Sequence, residues 1–581
     1  MKRNRYIFLG MALTALPAMA QHQQAQPKDT TMNRTVVVEQ EYNPEIMDAS
    51  KVNVLPKVEE PTVIKKEVEY AVSAVPASNI PMETMQAYTG IEAQPMSKPG
   101  YIRLGYGNYN NLDVYANYLF HLSGRDKLNV NFNMTGMSGK LEVPYEEGFK
   151  WNAHYYRTRA SVDYLHQFKK VDLNVAGHFG LSNFNYEPNT MASGNQKFTS
   201  GDIHFGAKST DETMPLQFHA ETNLMLYNRR DYLSHGEITE TQVRTYADVR
   251  GKINDEQQIA IGLTMNNLIY SNDAKKNAFK QYFKEKYDDR TTLNLNPYYE
   301  LMDDSWHLHL GANVDGSFGG GKKLRVSPDV SIQFIFSDSY VLYAKATGGR
   351  IVNDFRRLET YDPYLEPDSK IRDTYEQVNA SIGFKASPVN GLWFNLFAGY
   401  QNLKDDLYAR EAEFGFLASY ADIPASASRD NIVSSQTQTD NLYAGLQVSY
   451  QYKDILSLSA EGIYKHWKAD GAFESYNPIS YNPALLMKPE TELNFQAEFH
   501  PIPNLWMNVG YQYIRRAERY HARLGTYLPS VSDLSLGITY NLFKGASIYA
   551  KADNLLNKAY QRYLLYPTEG INFVGGLSFQ F

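Results

Sequence analysis

From residue 100 to the end of the chain, apolar side chains return at every second position in long runs. Leu128, Val130, Phe132 and Met134 alternate with Asn129, Asn131, Asn133 and Thr135. Ile259, Ile261, Leu263 and Met265 alternate with Ala260, Gly262 and Thr264. Leu534, Leu536, Ile538, Tyr540 and Leu542 alternate with Ser535, Gly537, Thr539 and Asn541. A strand sends successive side chains to opposite faces, so each run builds one apolar and one polar face. A lipid exterior around a polar lumen needs this pattern. A soluble sandwich alternates too, but its strands are usually shorter. No stretch reaches the roughly 20 apolar residues of a spanning helix. Membrane insertion must therefore be by strands in a closed sheet, where every backbone group is paired.

Counting such runs predicts about 22 strands. They centre near Ile102, Tyr115, Val130, Val162, Leu173, Ile203, Phe218, Val243, Ile261, Leu293 and Leu308. The second half centres near Val330, Leu342, Ile382, Phe397, Leu446, Leu458, Phe495, Val509, Leu536, Tyr549 and Leu577. Short turns, such as 123–126, 169–170, 211–213, 254–256 and 303–305, alternate with long connections, such as 274–289, 354–368 and 411–439. Short periplasmic turns and long outer loops are the usual asymmetry of these barrels. The fold class is thus all-β, a transmembrane antiparallel β-barrel over residues 100–581. An even strand number puts both ends of the barrel on the periplasmic side.

What precedes the barrel is different. Lys2, Arg3 and Arg5, then an apolar run from Ile7 to Leu16, then Ala18-Met19-Ala20, form a cleavable secretory signal over residues 1–20. Residues 21–99 are interrupted by Pro44, Pro56, Pro61, Pro76, Pro81, Pro95 and Pro99 and lack long alternation. They are read as an extended or disordered periplasmic tail. The chain has no cysteine, which excludes disulfides, thiolate metal sites and a lipidated N-terminal Cys. Its net charge of -7 gives no basis for nucleic-acid binding.

Trp306, Trp393 and Trp506 each follow a short turn, and Trp151 and Trp467 border long loops. These placements predict aromatic belts at the two membrane interfaces.

The C-terminal segment is the most specific. Asp553-Asn554-Leu555-Leu556-Asn557-Lys558 and Tyr566-Pro567-Thr568-Glu569-Gly570 precede a last strand whose one face is Phe573, Gly575, Leu577, Phe579 and Phe581. This segment resembles the end of TonB-dependent receptor barrels, and the Tyr- and Asn-rich style is similar to members from Bacteroidota. The resemblance implies 22 strands, a location in the outer membrane, and an assembly signal at Phe579 and Phe581 read by the barrel-insertion machinery. It implies a TonB-like energiser as a partner and, as in some relatives, a surface lipoprotein. Family members carry a plug of well over a hundred residues. Residues 21–99 are fewer and lack its glycine-rich motifs, so plug gating is not implied here. Thr35-Val36-Val37-Val38-Glu39 is similar to a TonB box, which pairs with its partner by β-augmentation.

Other motifs are weaker. Gly316 to Lys323 nearly matches a phosphate loop but lacks the following Ser/Thr and helix, so it reads as an outer loop. His307 and His309 share a strand face and read as lumen lining, with no third metal ligand in view. Asp288-Asp289 and Asp405-Asp406 read as solvated loop charges. No catalytic constellation or cofactor motif emerges, so the chain is not read as an enzyme. The functional expectation is transport or binding of a ligand at the outer membrane. A passive porin or a structural subunit of an envelope assembly is the alternative.

Overall fold

The computed structural model describes residues 98–143, 148–187, 194–211, 213–231, 236–273, 287–336, 339–411, 432–470, 474–476, 479–521 and 526–581. The predicted signal, the TonB-box-like segment and all of the tail but Lys98 and Pro99 lie outside them, as do most of the connections 274–289 and 411–439.

Twenty-two antiparallel strands form one closed sheet. In chain order they are β1 (Gly100–Gly107), β2 (Leu112–His121), β3 (Asp126–Glu142), β4 (Lys150–Gln167), β5 (Val171–Asn185), β6 (Asn195–Ser209), β7 (Leu216–Asp231) and β8 (Gly236–Lys252). Next come β9 (Gln257–Asp273), β10 (Arg290–Met302), β11 (Trp306–Phe318), β12 (Leu324–Ile335), β13 (Tyr340–Ile351), β14 (Thr374–Val389) and β15 (Leu392–Glu411). The wall ends with β16 (Ile432–Tyr452), β17 (Leu456–Ala469), β18 (Pro489–Ile502), β19 (Leu505–Arg516), β20 (Val531–Phe543), β21 (Ala546–Asp553) and β22 (Asn572–Gln580). Each centre expected from the sequence falls in its own strand. Every strand pairs with its sequence neighbours, and β1 pairs with β22 to shut the barrel, Leu104 lying opposite Leu577.

The alternation sorts the two faces. Ile259, Ile261, Leu263 and Ile269 of β9 are exposed on the outside, whereas Leu268 and Tyr270 are buried within. In β20, Ile538, Tyr540 and Leu542 point outward, and Ser535 is buried on the inner side. A closed barrel wearing an apolar outer band is a membrane-spanning structure, because such a surface is stable only against lipid.

The tight turns after β2, β4, β8, β10, β14, β18 and β20 lie at one end. Asp303 shapes one of them by accepting from the backbone N–H groups of Ser305 and Trp306, each at 2.7 Å. This Asx geometry reverses the chain in few residues. The opposite end carries the long connections and is the outer end. There, loop 352–373 between β13 and β14 contains the helix α1 (Phe355–Tyr361), whose first turn is capped by the Asp354 side chain accepting from Arg357 N–H at 2.8 Å.

Candidate functional site at the outer mouth

A 22-strand barrel encloses a lumen wide enough that known transporters of this size fill it. Loop 352–373 turns into that space. β14 is bent to allow it: between Glu376 and Asn379 it carries a bulge, one residue more than the paired stretch of β13 on one side and of β15 on the other. A bulge re-aims a strand. Gly349 sits at φ +144°, a conformation that side-chain-bearing residues rarely adopt.

The loop is fastened around the mouth. Glu359 of α1 is buried and receives three donors from three strands. Arg159 of β4 (2.9 Å) and Ser182 of β5 (2.5 Å) donate to Oε1, and Tyr227 of β7 (2.7 Å) donates to Oε2. Burial pushes the Glu359 carboxyl up, but Arg159, Ser182, Arg157 and Tyr227 outweigh it and hold it below the ordinary glutamate value. Phe355 N–H donates to Glu240 of β8 at 3.1 Å, and Arg356 reaches Asp202 of β6 at 2.6 Å. On the other arm, Arg229 donates to the Leu365 carbonyl at 3.1 Å and pairs with Glu366 at 3.3 Å. Arg290 of β10 donates to the carbonyls of Ile371 and Asn353, at 2.8 and 2.7 Å. Glu366 also exchanges backbone hydrogen bonds with Ile432 and Ser434 at the start of β16.

Apolar packing completes the dock. Phe355, Leu358, Tyr361, Tyr364 and Leu365 are buried in one cluster with Trp151, Phe184, Phe198, Tyr227, Ile238, Leu268 and Tyr270 from the wall. Tyr364 stacks on Tyr566 of the last outer loop, ring centroids 3.6 Å apart and planes within 5°. Such pairs add roughly 0.5–1.5 kcal/mol beyond their buried area. Asp362, just past α1, sits in this apolar surround. Its carboxylate accepts Tyr364 N–H at 2.9 Å, and burial pushes the carboxyl up to about 8.

Three placements differ from the sequence reading. Trp151 and Trp467, expected in an interface belt, are buried: Trp151 lies edge-on to Tyr364 and Tyr566, and Trp467 donates to the Pro489 carbonyl at 2.8 Å beneath Lys488. Both indoles face inward, and outer-loop residues cover them. Asp406, expected to be a solvated charge, is buried and accepts from Thr439 and Lys488. The bulge between Leu403 and Asp406 turns it in, while Asp405 receives Arg325 at 3.3 Å.

Trp306, Trp393 and Trp506 stand at the first turns of β11, β15 and β19; Trp306 is exposed beside Phe334 and Trp506 stacks on His500. Phe579 and Phe581 are exposed at the foot of the seam. His309 is held between Glu300 (2.9 Å) and Asp329 (3.1 Å) in the lumen wall, and among the described residues no group of three or more His, Asp or Glu side chains is placed to hold a metal ion.

This is a 22-strand outer-membrane β-barrel with the fold of TonB-dependent receptors. The FrpB iron transporter of Neisseria meningitidis superimposes with a TM-score of 0.61 at 12% identity, over 84% of this chain and 81% of that one. The ferric enterobactin receptor PfeA of Pseudomonas aeruginosa gives 0.59 at 12% identity, over 83% and 80%. FpvA of P. aeruginosa, solved with heterologous pyoverdines, gives 0.58 at 11% identity, over 83% and 71%. At such identities the likeness establishes the fold. No protein-family model and no curated protein sequence matches the chain.

Proposed function

We propose that this protein is a gated outer-membrane receptor that takes up or binds a ligand, and not a passive porin. The observation that carries this reading is the docked loop 352–373. A porin needs a standing aqueous path, whereas here the outer mouth is crossed by a helix whose one carboxylate is held from three strands. The structural neighbours are named as receptors and an iron transporter rather than enzymes, which supports the same class. The ligands in those names remain theirs.

In this reading Thr35, Val36, Val37, Val38 and Glu39 pair as a strand with a TonB-like energiser. Phe579 and Phe581 present the assembly signal to the insertion machinery. Trp306, Trp393 and Trp506 form the periplasmic-side belt. The signal over residues 1–20 directs export, residues 21–99 form the tail, and a surface lipoprotein is a further partner.

Planar bilayers and a strain with Val37→Pro test the proposal. Proline removes a backbone donor and breaks the pairing. The reading expects a wild-type barrel with low, gated conductance, and a growth or uptake defect in Val37→Pro that matches loss of the energiser. Steady conductance with no Val37→Pro phenotype would establish the porin. Low conductance with periplasmic partners released on deletion of residues 21–99 would establish a structural subunit.

A further inference from the structure

The seat of Glu359 has the make-up of a binding site for a carboxylate. Arg159, Ser182 and Tyr227 come from three strands of the wall, and Ser182 and Tyr227 are almost completely buried. Arg157, two residues along the same face of β4, adds positive charge toward Glu359. Its Nε is buried with no hydrogen-bond partner. The donors are thus fixed in a rigid sheet, and their acceptor arrives on a loop. Charge-assisted hydrogen bonds of this kind are about twice as strong as neutral ones. A tethered acid holds such a seat through its high effective concentration, and a free acid competes with it. The loop departs from the wall at two marked points, Gly349 of β13 at φ +144° and the bulge of β14 at Glu376–Asn379, and it leaves as a unit between them.

We propose that Glu359 is an internal stand-in for a ligand's carboxylate. An acidic ligand takes the Arg159–Ser182–Tyr227 seat, Glu359 is displaced, and loop 352–373 is released from the mouth. The exchange deepens the receptor reading by naming the chemical class of the ligand. Two oxygens shared among three donors suit a planar carboxylate, and a tetrahedral oxyanion matches them less well. A ligand must also outcompete the packing of Phe355, Leu358 and Leu365, so a simple carboxylate shifts the population in part and a ligand with further contacts shifts it more.

The chain has no cysteine, so Leu358→Cys gives a single thiol, buried while the loop is docked. Its labelling by a membrane-impermeant maleimide reports release, and Leu365→Cys is a second reporter on the other arm. Heat-modifiable migration first shows that each variant has assembled. Succinate should speed labelling, while chloride at equal ionic strength and inorganic phosphate should do so much less. Glu359→Gln should label roughly tenfold faster without succinate, as loss of a charged partner implies. Arg159→Gln should remove the succinate response. The proposal is overturned if chloride or phosphate matches succinate, if Glu359→Gln labels like its parent, or if the succinate response survives in Arg159→Gln. Steady wild-type conductance would instead defeat the receptor reading, so the two failures are distinguishable.

Discussion

Gly100 and Phe581 exchange backbone hydrogen bonds, Gly100 N–H to the Phe581 carbonyl at 2.9 Å and Phe581 N–H to the Gly100 carbonyl at 3.0 Å. The last residue of the chain thereby completes the seam that the first strand opens. The Phe581 ring lies over the spot where a Cβ on residue 100 would sit, within 2.6 Å, so a side chain there would push the ring aside. Lys98 donates to the Gln580 carbonyl at 2.7 Å and extends the same closure.

Deleting Phe581 should lower the assembled fraction while export continues. The deletion removes both hydrogen bonds and the ring, and closure is the last pairing that leaves no free edge. Unheated gels of the outer-membrane fraction measure it. An unchanged heat-modifiable band would show that the seam closes without this residue.

Charge should be tolerated on the inner face of β9 and not on the outer one. Leu263 is exposed on the lipid side, and Thr264 faces the lumen opposite Asn294. Leu263→Arg costs roughly 2–4 kcal/mol near the bilayer midplane, whereas an arginine at Thr264 stays among polar groups. Refolding yield into lipid compares the pair.

The wall was legible in the sequence because a barrel strand is read by its period. Ile259 to Leu263 and Leu534 to Leu542 declare their outer face without reference to any neighbour. The turns were legible through residues such as Asp303. The mouth was not. Arg159 and Ser182 look like any other lumen residue along β4 and β5, and Glu359 like any loop acid. What joins them is a contact between segments far apart in the chain, set by bulges that shift strand phase in β14 after Glu376 and in β15 before Asp406. The helix signal itself was present. Asp354 precedes Phe355, Leu358 and Tyr361 at helical spacing, which could have marked an amphipathic turn in need of a partner. Trp151 and Trp467 misled for the same reason: position on a strand end says nothing about what folds over it.

Docking of the loop should weaken as pH rises from about 4 to about 8. The Asp362 carboxyl is pushed up to about 8 when docked, against an ordinary 3.8. Its neighbours are the phenols of Tyr361, Tyr364, Tyr563 and Tyr566. Between the two values the docked state holds a proton that the released state lacks, so docking falls with rising pH and levels off above about 8. Glu359 works in the opposite sense. Its lowered value makes its contribution fully present above the ordinary glutamate range, lost only in stronger acid. Maleimide labelling of Leu358→Cys should therefore quicken from pH 5 to pH 8, after correction for thiolate reactivity. Asp362→Asn should flatten that rise. A pH-independent rate in the parent would show that Asp362 stays in water.

Replacing residues 353–373 by a short glycine-serine turn should turn the barrel into a steadier conductor. The loop contributes α1, the Glu359 clamp and half of the Tyr364–Tyr566 stack, and it lies inside the wall rather than above it. The strands do not need it for pairing, since β13 and β14 hold each other from Tyr340 opposite Ala386 onward. The variant should assemble, and unheated gels check that first. Single-channel recordings in planar bilayers then compare it with the parent. Long-lived openings in the variant, with brief or rare ones in the parent, are the expected result. Glu359→Gln should fall between them, because it weakens the clamp and leaves the aromatic packing in place. Equal conductance in all three would mean that the loop does not control the passage, and the receptor reading would lose the observation that carries it.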